Sequence, residues 1–217
     1  LYIGSEWSEE HAGTCGVGAC LTTGESIVIH QTDHFDMAHT PLSCTSAPIY
    51  SVMGEMMGVL DVSLLMSPTE KYSQALTLEV VKSCVRRIEL ANLMSSRKND
   101  WILRLSRTPE FLGVDPNCAL SVAADGTVSG LTHGALRMFS ASLGTDWRSN
   151  SLIGLPLEDL LEFDHNDLHC LLGASNPSEQ ALETHDGGLI FADVQAPVRR
   201  QQKSRTGTLP LALASIH

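Results

Sequence analysis

Neither lysine nor arginine occurs in the first 70 residues. Across that stretch a histidinium is the sole side-chain cation available, so little there can hold a phosphate or acidify a thiol. The whole chain of 217 residues sets 14 basic side chains against 25 acidic ones, a formal net charge of −11. An acidic surface repels phosphate backbones, which argues against direct nucleic-acid binding. Long apolar runs are missing too. No stretch of about 18 apolar residues and no basic-then-apolar leader is present, so a cytoplasmic chain without membrane contact is expected. The six cysteines include no C-x-x-C pair, which predicts reduced thiols rather than a disulfide scaffold. The glycines Gly13, Gly16 and Gly18 are not followed by the Lys-Ser/Thr of a P-loop. They run G-x-x-G-x-G after WSEEH, which is not a strand, so they do not make a dinucleotide fingerprint. A nucleophile elbow G-x-S-x-G is also lacking, which removes the main support for a hydrolase.

What is present is enough for a folded core: 43% hydrophobic and 18% charged residues, a balance typical of globular chains. At roughly 100–200 residues per domain, one or two domains are expected. The chain opens on Leu1 rather than Met, and is read as a piece of a longer protein.

GTCGVGACLT starts as a glycine turn and becomes apolar at Val17, Cys20 and Leu21, predicting a short helix entered from a loop. SIVIHQ is brief and β-branched, a buried strand. DHFDMAH is a polar connector that Pro41 stops. Residues 42–50 (LSCTSAPIY) alternate small or hydroxylic with apolar side chains, as a strand lining a cavity does. Gly54 supplies a turn, and residues 57–63 return to complete a hairpin. Over 69–97, Leu76, Val80, Val81, Cys84, Val85, Ile88 and Ala91 trace a helical stripe. At that length the helix is expected to run from one domain toward another. SSRKNDW breaks the pattern and predicts a hinge. Beyond it, CALSV, the Asp125-Gly126 turn and residues 127–131 predict a second hairpin. Helical spacing follows over 132–143, short helices over 152–163 and 168–172, and a closing strand over 187–198.

Three chemistries compete for the first half. His11, Cys15, Cys20, His30, His34, His39 and Cys44 offer imidazole and thiol ligands for zinc or iron. Their spacings match no compact zinc pattern, so neither a metal nor a cofactor is expected. Cys15 stands near a helix start, where a thiolate is favoured, but it has no nearby lysine or arginine. The long helix, finally, could form a dimer seam.

The run WSEEHAGTCGVGACL, followed by HQTDHF, LSCTSAPIY and MGEMMGVLDVS, resembles the GAF sensory domain of bacterial sigma-54-dependent activators. The nearest branch is the acetoin catabolism regulator type. That branch reads W-S-E-x-x-x-G-T-N, then E-H-F, C-S-A-A-P-I and G-x-L-x-G-V-L-D, and the four blocks fall in order between residues 7 and 63. The family often has Asn where Cys15 stands, and its GAF domain starts earlier, so an incomplete sheet is expected. The second half, with its Ala-Asp-Gly hairpin and IGLPLEDLLEF, resembles a PAS domain.

The resemblance implies an α+β fold: an antiparallel-sheet GAF domain over 1–98, a hinge or linker over 99–112, a PAS-like domain over 113–198 and a basic linker over 199–217. It implies a non-enzymatic sensor that binds a small-molecule effector and dimerises through the connecting helix. Sigma-54 RNA polymerase and DNA would be met only through regions absent from this chain. Trp7, Thr14, Cys15, His34, Phe35, Cys44 and Ser46 are the expected ligand contacts. The alternatives are a thiol redox enzyme on a GAF scaffold, resembling free methionine sulfoxide reductases, and a dimerisation module with an empty pocket.

Overall fold

The computed structural model describes residues 3–148, 151–174 and 176–198. The basic linker expected over 199–217 lies outside them. Two short helices, α1 (Glu9–Ala12) and α2 (Gly16–Thr23), precede strands β1 (Ile27–His30), β2 (Leu42–Tyr50) and β3 (Met56–Leu65). These strands make an antiparallel sheet in the order β1-β2-β3. The expected hairpin closes through residues 51–55, with Ser51 N–H donating to Glu55 O at 2.7 Å and Gly54 at φ 84°. A side chain with a Cβ rarely takes that φ.

Central strand β2 is buried along nearly its whole length, and its two faces serve different neighbours, as the period of two requires. Ala47 and Ile49 meet Val81 and Val85 of the long helix α3 (Ala75–Ser96). Cys44 and Ser46 face the start of α2, and a Cβ added to Gly16 would lie 2.7 Å from Cys44 Cβ and 2.5 Å from Ser46 Oγ. Small side chains on β2 are therefore what lets helices approach both faces.

Helix α3 buries Val81, Val85, Glu89 and Leu93, an i, i+4 row down one face. Its first half packs on β2 and β3. Its last turns reach a separate core, where Leu93 joins Ile102 and Ala119. The helix thus serves both halves of the chain, as its length suggested.

The second sheet runs β6-β5-β4-β8-β7, from β4 (Trp101–Ser106), β5 (Cys118–Val122), β6 (Val128–Leu131), β7 (Ala181–Glu183) and β8 (Leu189–Gln195), with α4 (His133–Ser142) and α5 (Pro177–Gln180) between. Every pairing is antiparallel. The segment 99–112, expected as a hinge, instead holds β4, the middle strand, bonded to β5 on one edge and β8 on the other. WILRLS is a short apolar run without alternation, and only two-sided pairing identifies it as a strand. The short helices expected over 152–163 and 168–172 are 3₁₀ turns, Leu157–Asp159 and His165–Leu171. Phe139, Leu103, Leu105, Leu120, Leu157 and Leu161 fill this unit's core. No helix among the described residues is long and apolar enough to cross a membrane.

Candidate functional site

A cavity of about 430 Å³ opens between the start of α2, the β2–β3 hairpin and the connector before β2. Trp7, Cys15, His34 and Cys44 line it, together with Gly16, Val17, His39, Leu42, Asp61 and Ser63. Four of the seven expected contacts therefore meet. Thr14 and Phe35 do not join them. They line an open groove with Glu9, Glu10 and Met37, and Phe35 is 80% exposed. Ser46 is fully buried behind the wall, where its hydroxyl donates to Asp61 Oδ1.

The polar groups of the wall form one network. Ser63 donates to Asp61 Oδ2 at 2.7 Å, and its oxygen lies 3.3 Å from Cys44 Sγ. Asp61 thus takes a hydroxyl on each oxygen. Across the cavity, Cys15 caps α2 with its sulfur, accepting from Gly18 N–H at 3.3 Å, while its thiol donates to Trp7 O at 3.6 Å. His34 is held by Gln31, whose carbonyl lies 2.9 Å from Nδ1. A carbonyl only accepts, so Nδ1 carries the proton and Nε2 presents a lone pair. His34 is 5% exposed, and Nε2 has no hydrogen-bond partner among the described residues. His39 Nδ1 is likewise buried and unpaired, and its ring lies 5.8 Å from that of Trp7. Unpaired buried polar atoms are rare enough to call for a partner.

His39, Asp61 and Ser63 were not among the expected contacts. Asp61 and Ser63 stand opposite Ser46 and Cys44 in the hairpin register, so the register is the signal that leads to them.

Cys20 and Cys44 are poorly suited to nucleophilic chemistry. Burial pushes the Cys20 thiol up to about 12, with Asp61 and Glu25 adding to the effect. Cys44 is also raised, chiefly by burial, against the bond to Ser63. At pH 8 an aromatic disulfide reagent should modify the exposed Cys170 quickly, and Cys84 as well wherever the outer face of α3 is uncovered. The four buried ones should react only on denaturation. Rapid loss of a third thiol in the folded protein would contradict this.

Among the described residues, the first-half histidines and cysteines do not draw three ligand atoms within 4.8 Å of one another. The clusters that do, Asp167–His169–Cys170 and Glu158–Asp164–His165, sit on the second unit and are largely exposed.

The sequence of residues 1–91 matches the GAF domain family. This part of the chain is a GAF domain. The cavity lies wholly within that GAF domain. Over 222 aligned positions, covering 100% of the chain, it is 40% identical to the acetoin catabolism regulatory protein of Cupriavidus necator, of which it spans 33%. Over 60 residues (28% of the chain, 10% of the relative) it is 33% identical to the acetoin dehydrogenase operon transcriptional activator AcoR of Bacillus subtilis. The chain thus spans a third or less of the length of these curated relatives. The family read from the four sequence blocks is the one these comparisons find. The crystal structure of the E. coli DhaR(N)–DhaL complex aligns over 91% of this chain and 70% of that one, at 13% identity. Its TM-score of 0.36 is too low to define a shared fold.

Proposed function

We propose that this chain is the ligand-sensing region of a cytoplasmic sigma-54-dependent activator, in which a small molecule in the GAF cavity controls a downstream ATPase and DNA-binding region. The observation that carries the reading is the buried, unpaired Nε2 of His34 in a cavity that also presents the Asp61 carboxylate. Both are acceptors. Asp61 already takes hydroxyls from Ser46 and Ser63, so the hydroxyl group of a small neutral molecule donates its one hydrogen to His34 Nε2, and its hydrocarbon part meets Trp7, Val17 and Leu42. The names of the relatives point to acetoin, a hydroxy ketone of this kind. The reading is non-enzymatic, since the buried thiols of Cys20 and Cys44 are held in the protonated form.

The second unit is PAS-like in this reading and passes the signal on, because its interior is packed with its own side chains. A second copy of the chain covers the outer face of α3, where Leu76, Val80 and Ile88 are 76%, 53% and 42% exposed. Apolar helix faces of this kind are favoured dimer seams.

Acetoin at millimolar concentration should raise the melting temperature, since a ligand at a hundred times its Kd adds about 2.7 kcal/mol to folded-state stability. His34→Ala should lower the affinity at least tenfold, a loss of about 1.4 kcal/mol, while leaving the fold intact. Thermal-shift titration checks both. No shift with acetoin, diacetyl or 2,3-butanediol would sink the sensor reading.

A further inference from the structure

Two elements that form the cavity wall continue to the second unit. Helix α2 begins at the cavity with Gly16 and ends at Gly24, next to Glu25. Strand β2 passes the cavity at Cys44 and ends at Tyr50. Their far ends meet in one cluster, where the Tyr50 hydroxyl donates to Gly24 O at 3.0 Å.

The second unit enters that cluster through α4 and the segment after it. The Tyr50 ring stacks on His133 with centroids 3.9 Å apart, and Trp147 stands edge-on to His133 at 4.6 Å. Arg137 and Arg148 both donate to Glu25, at 2.6 Å and 3.2 Å, and both guanidinium groups lie over the Trp147 ring. At the centre is Glu89 of α3, 5% exposed. One of its oxygens accepts from Tyr50 N–H at 2.9 Å, the other from His133 N–H, also at 2.9 Å. A single carboxylate therefore spans the end of the GAF strand and the first residue of α4. Neither N–H can move far without losing its acceptor.

We propose that this cluster couples the cavity to the second unit, with Glu89 as the positioning residue that passes a displacement of β2 on to α4. The ligand-driven form of the proposal rests on the sensor reading above; the mechanical coupling does not. Two sites that bias one shared element are coupled whatever perturbs the first of them. The Tyr50 hydroxyl on Gly24 O holds the end of α2 to the end of β2, and Glu25 ties that same end to Arg137 and Arg148.

Amide and indole NMR on the intact chain tests it, because the three tryptophans report from different places. Trp7 lines the cavity, Trp147 sits in the cluster and Trp101 lies in β4. Acetoin should shift the Trp7 indole together with the Trp147 indole and the His133 amide, at one midpoint. In Glu89→Gln a single acceptor oxygen faces two donors. The Trp7 shift should persist, while the Trp147 and His133 shifts fall at least threefold. Unchanged Trp147 and His133 responses in that variant would overturn the proposal, as would their absence in the wild type when Trp7 responds.

Gly16→Ala gives a test without ligand. Its Cβ would come within 2.5–2.9 Å of Ser46 Oγ, Cys44 Cβ and Asp61 Oδ1, pressing on β2 and β3 from the cavity side. Coupling requires the His133 amide and Trp147 indole to shift in Gly16→Ala, and to stay near their reference positions when Glu89→Gln is added. If they stay still in Gly16→Ala itself, the coupling is wrong whether or not acetoin binds. If acetoin moves no resonance but Gly16→Ala does, the sensor reading fails and the coupling stands. Should Glu89→Gln not fold, Glu89→Asp, whose shorter side chain cannot reach both N–H groups, takes its place with the same expected loss.

Discussion

Lowering the pH from 7 to 4 should cost the wild-type protein on the order of 3 kcal/mol through His133 alone, and His133→Phe should abolish that part of the loss. Burial lowers the His133 pKa from its ordinary 6.5 to about 4; the Arg137 charge adds to this, Glu25 opposes it, and Arg148 adds a little more. A base with a depressed pKa is held neutral in the fold, so the unfolded chain takes up the proton first. The stability is full above pH 6.5 and is lost as the pH falls through 6.5 toward 4, at about 1.4 kcal/mol per pH unit. Glu89 works in the opposite sense. Burial raises its pKa against the bonds from Tyr50 and His133 N–H, so the fold gains from its protonation as the carboxylate range is approached. The difference between wild type and His133→Phe separates the two. Phenylalanine keeps the stack on Tyr50 and does not titrate. Urea midpoints at pH 7, 5.5 and 4.5 for both proteins are the measurement, and parallel curves would refute the assignment.

Phe139→Ala should lower stability by about 3–5 kcal/mol, the usual cost of emptying a fully buried aromatic site. Phe139 is 1% exposed and stands in the middle of the second unit's core. The loss should be felt in the GAF domain as well. Leu93 of α3 packs on Ile102 and Ala119 of the second sheet, while Val81 and Val85 of the same helix pack on Ala47 of the first. Glu89 adds a bond to each unit between those two contacts. One unfolding transition is therefore expected, with amides of β2 losing hydrogen-exchange protection in step with those of β5. A variant whose β2 stays protected while β5 opens would show two units that unfold apart.

Much of the local structure was legible because neighbours in sequence decide it. Gly54 at φ 84° closes the β2–β3 turn, and Gly126, also at φ 84°, closes the turn before β6. Each needs only the freedom of a residue without a Cβ. Of the apolar residues expected to trace the stripe of α3, Val81 and Val85 are buried. The outward residues Leu76, Val80 and Ile88 belong to the same periodic pattern but turned out exposed. Periodicity locates a helix and leaves open which apolar residues find a neighbour.

The cavity was legible in part. Trp7, Cys15, His34 and Cys44 came from the blocks that carry the family resemblance, and they converge. Asp61 was missed for a definite reason. Pairing Tyr50 with Met56 across the turn and counting back would set Cys44 opposite Val62. A bulge between Ile49 and Tyr50 shifts the ladder by one, so that Cys44 faces Ser63 and Ser46 faces Asp61. A shift of one residue exchanges the two faces of a strand. Without it the carboxylate would point away from the cavity.

The amino-acid order alone settled the turns, the helices with a clear apolar stripe, the acidic and cation-free character of the first 70 residues and the GAF family. These follow from backbone sterics, periodicity and composition, which act over a few residues at a time. Tertiary structure alone decided that β4 is a central strand, that Asp61 joins His34 at the cavity, and that Glu89 bridges Tyr50 and His133. Each of those depends on groups far apart in the chain, brought together by the packing of α3 on two sheets, and no local pattern encodes that distance.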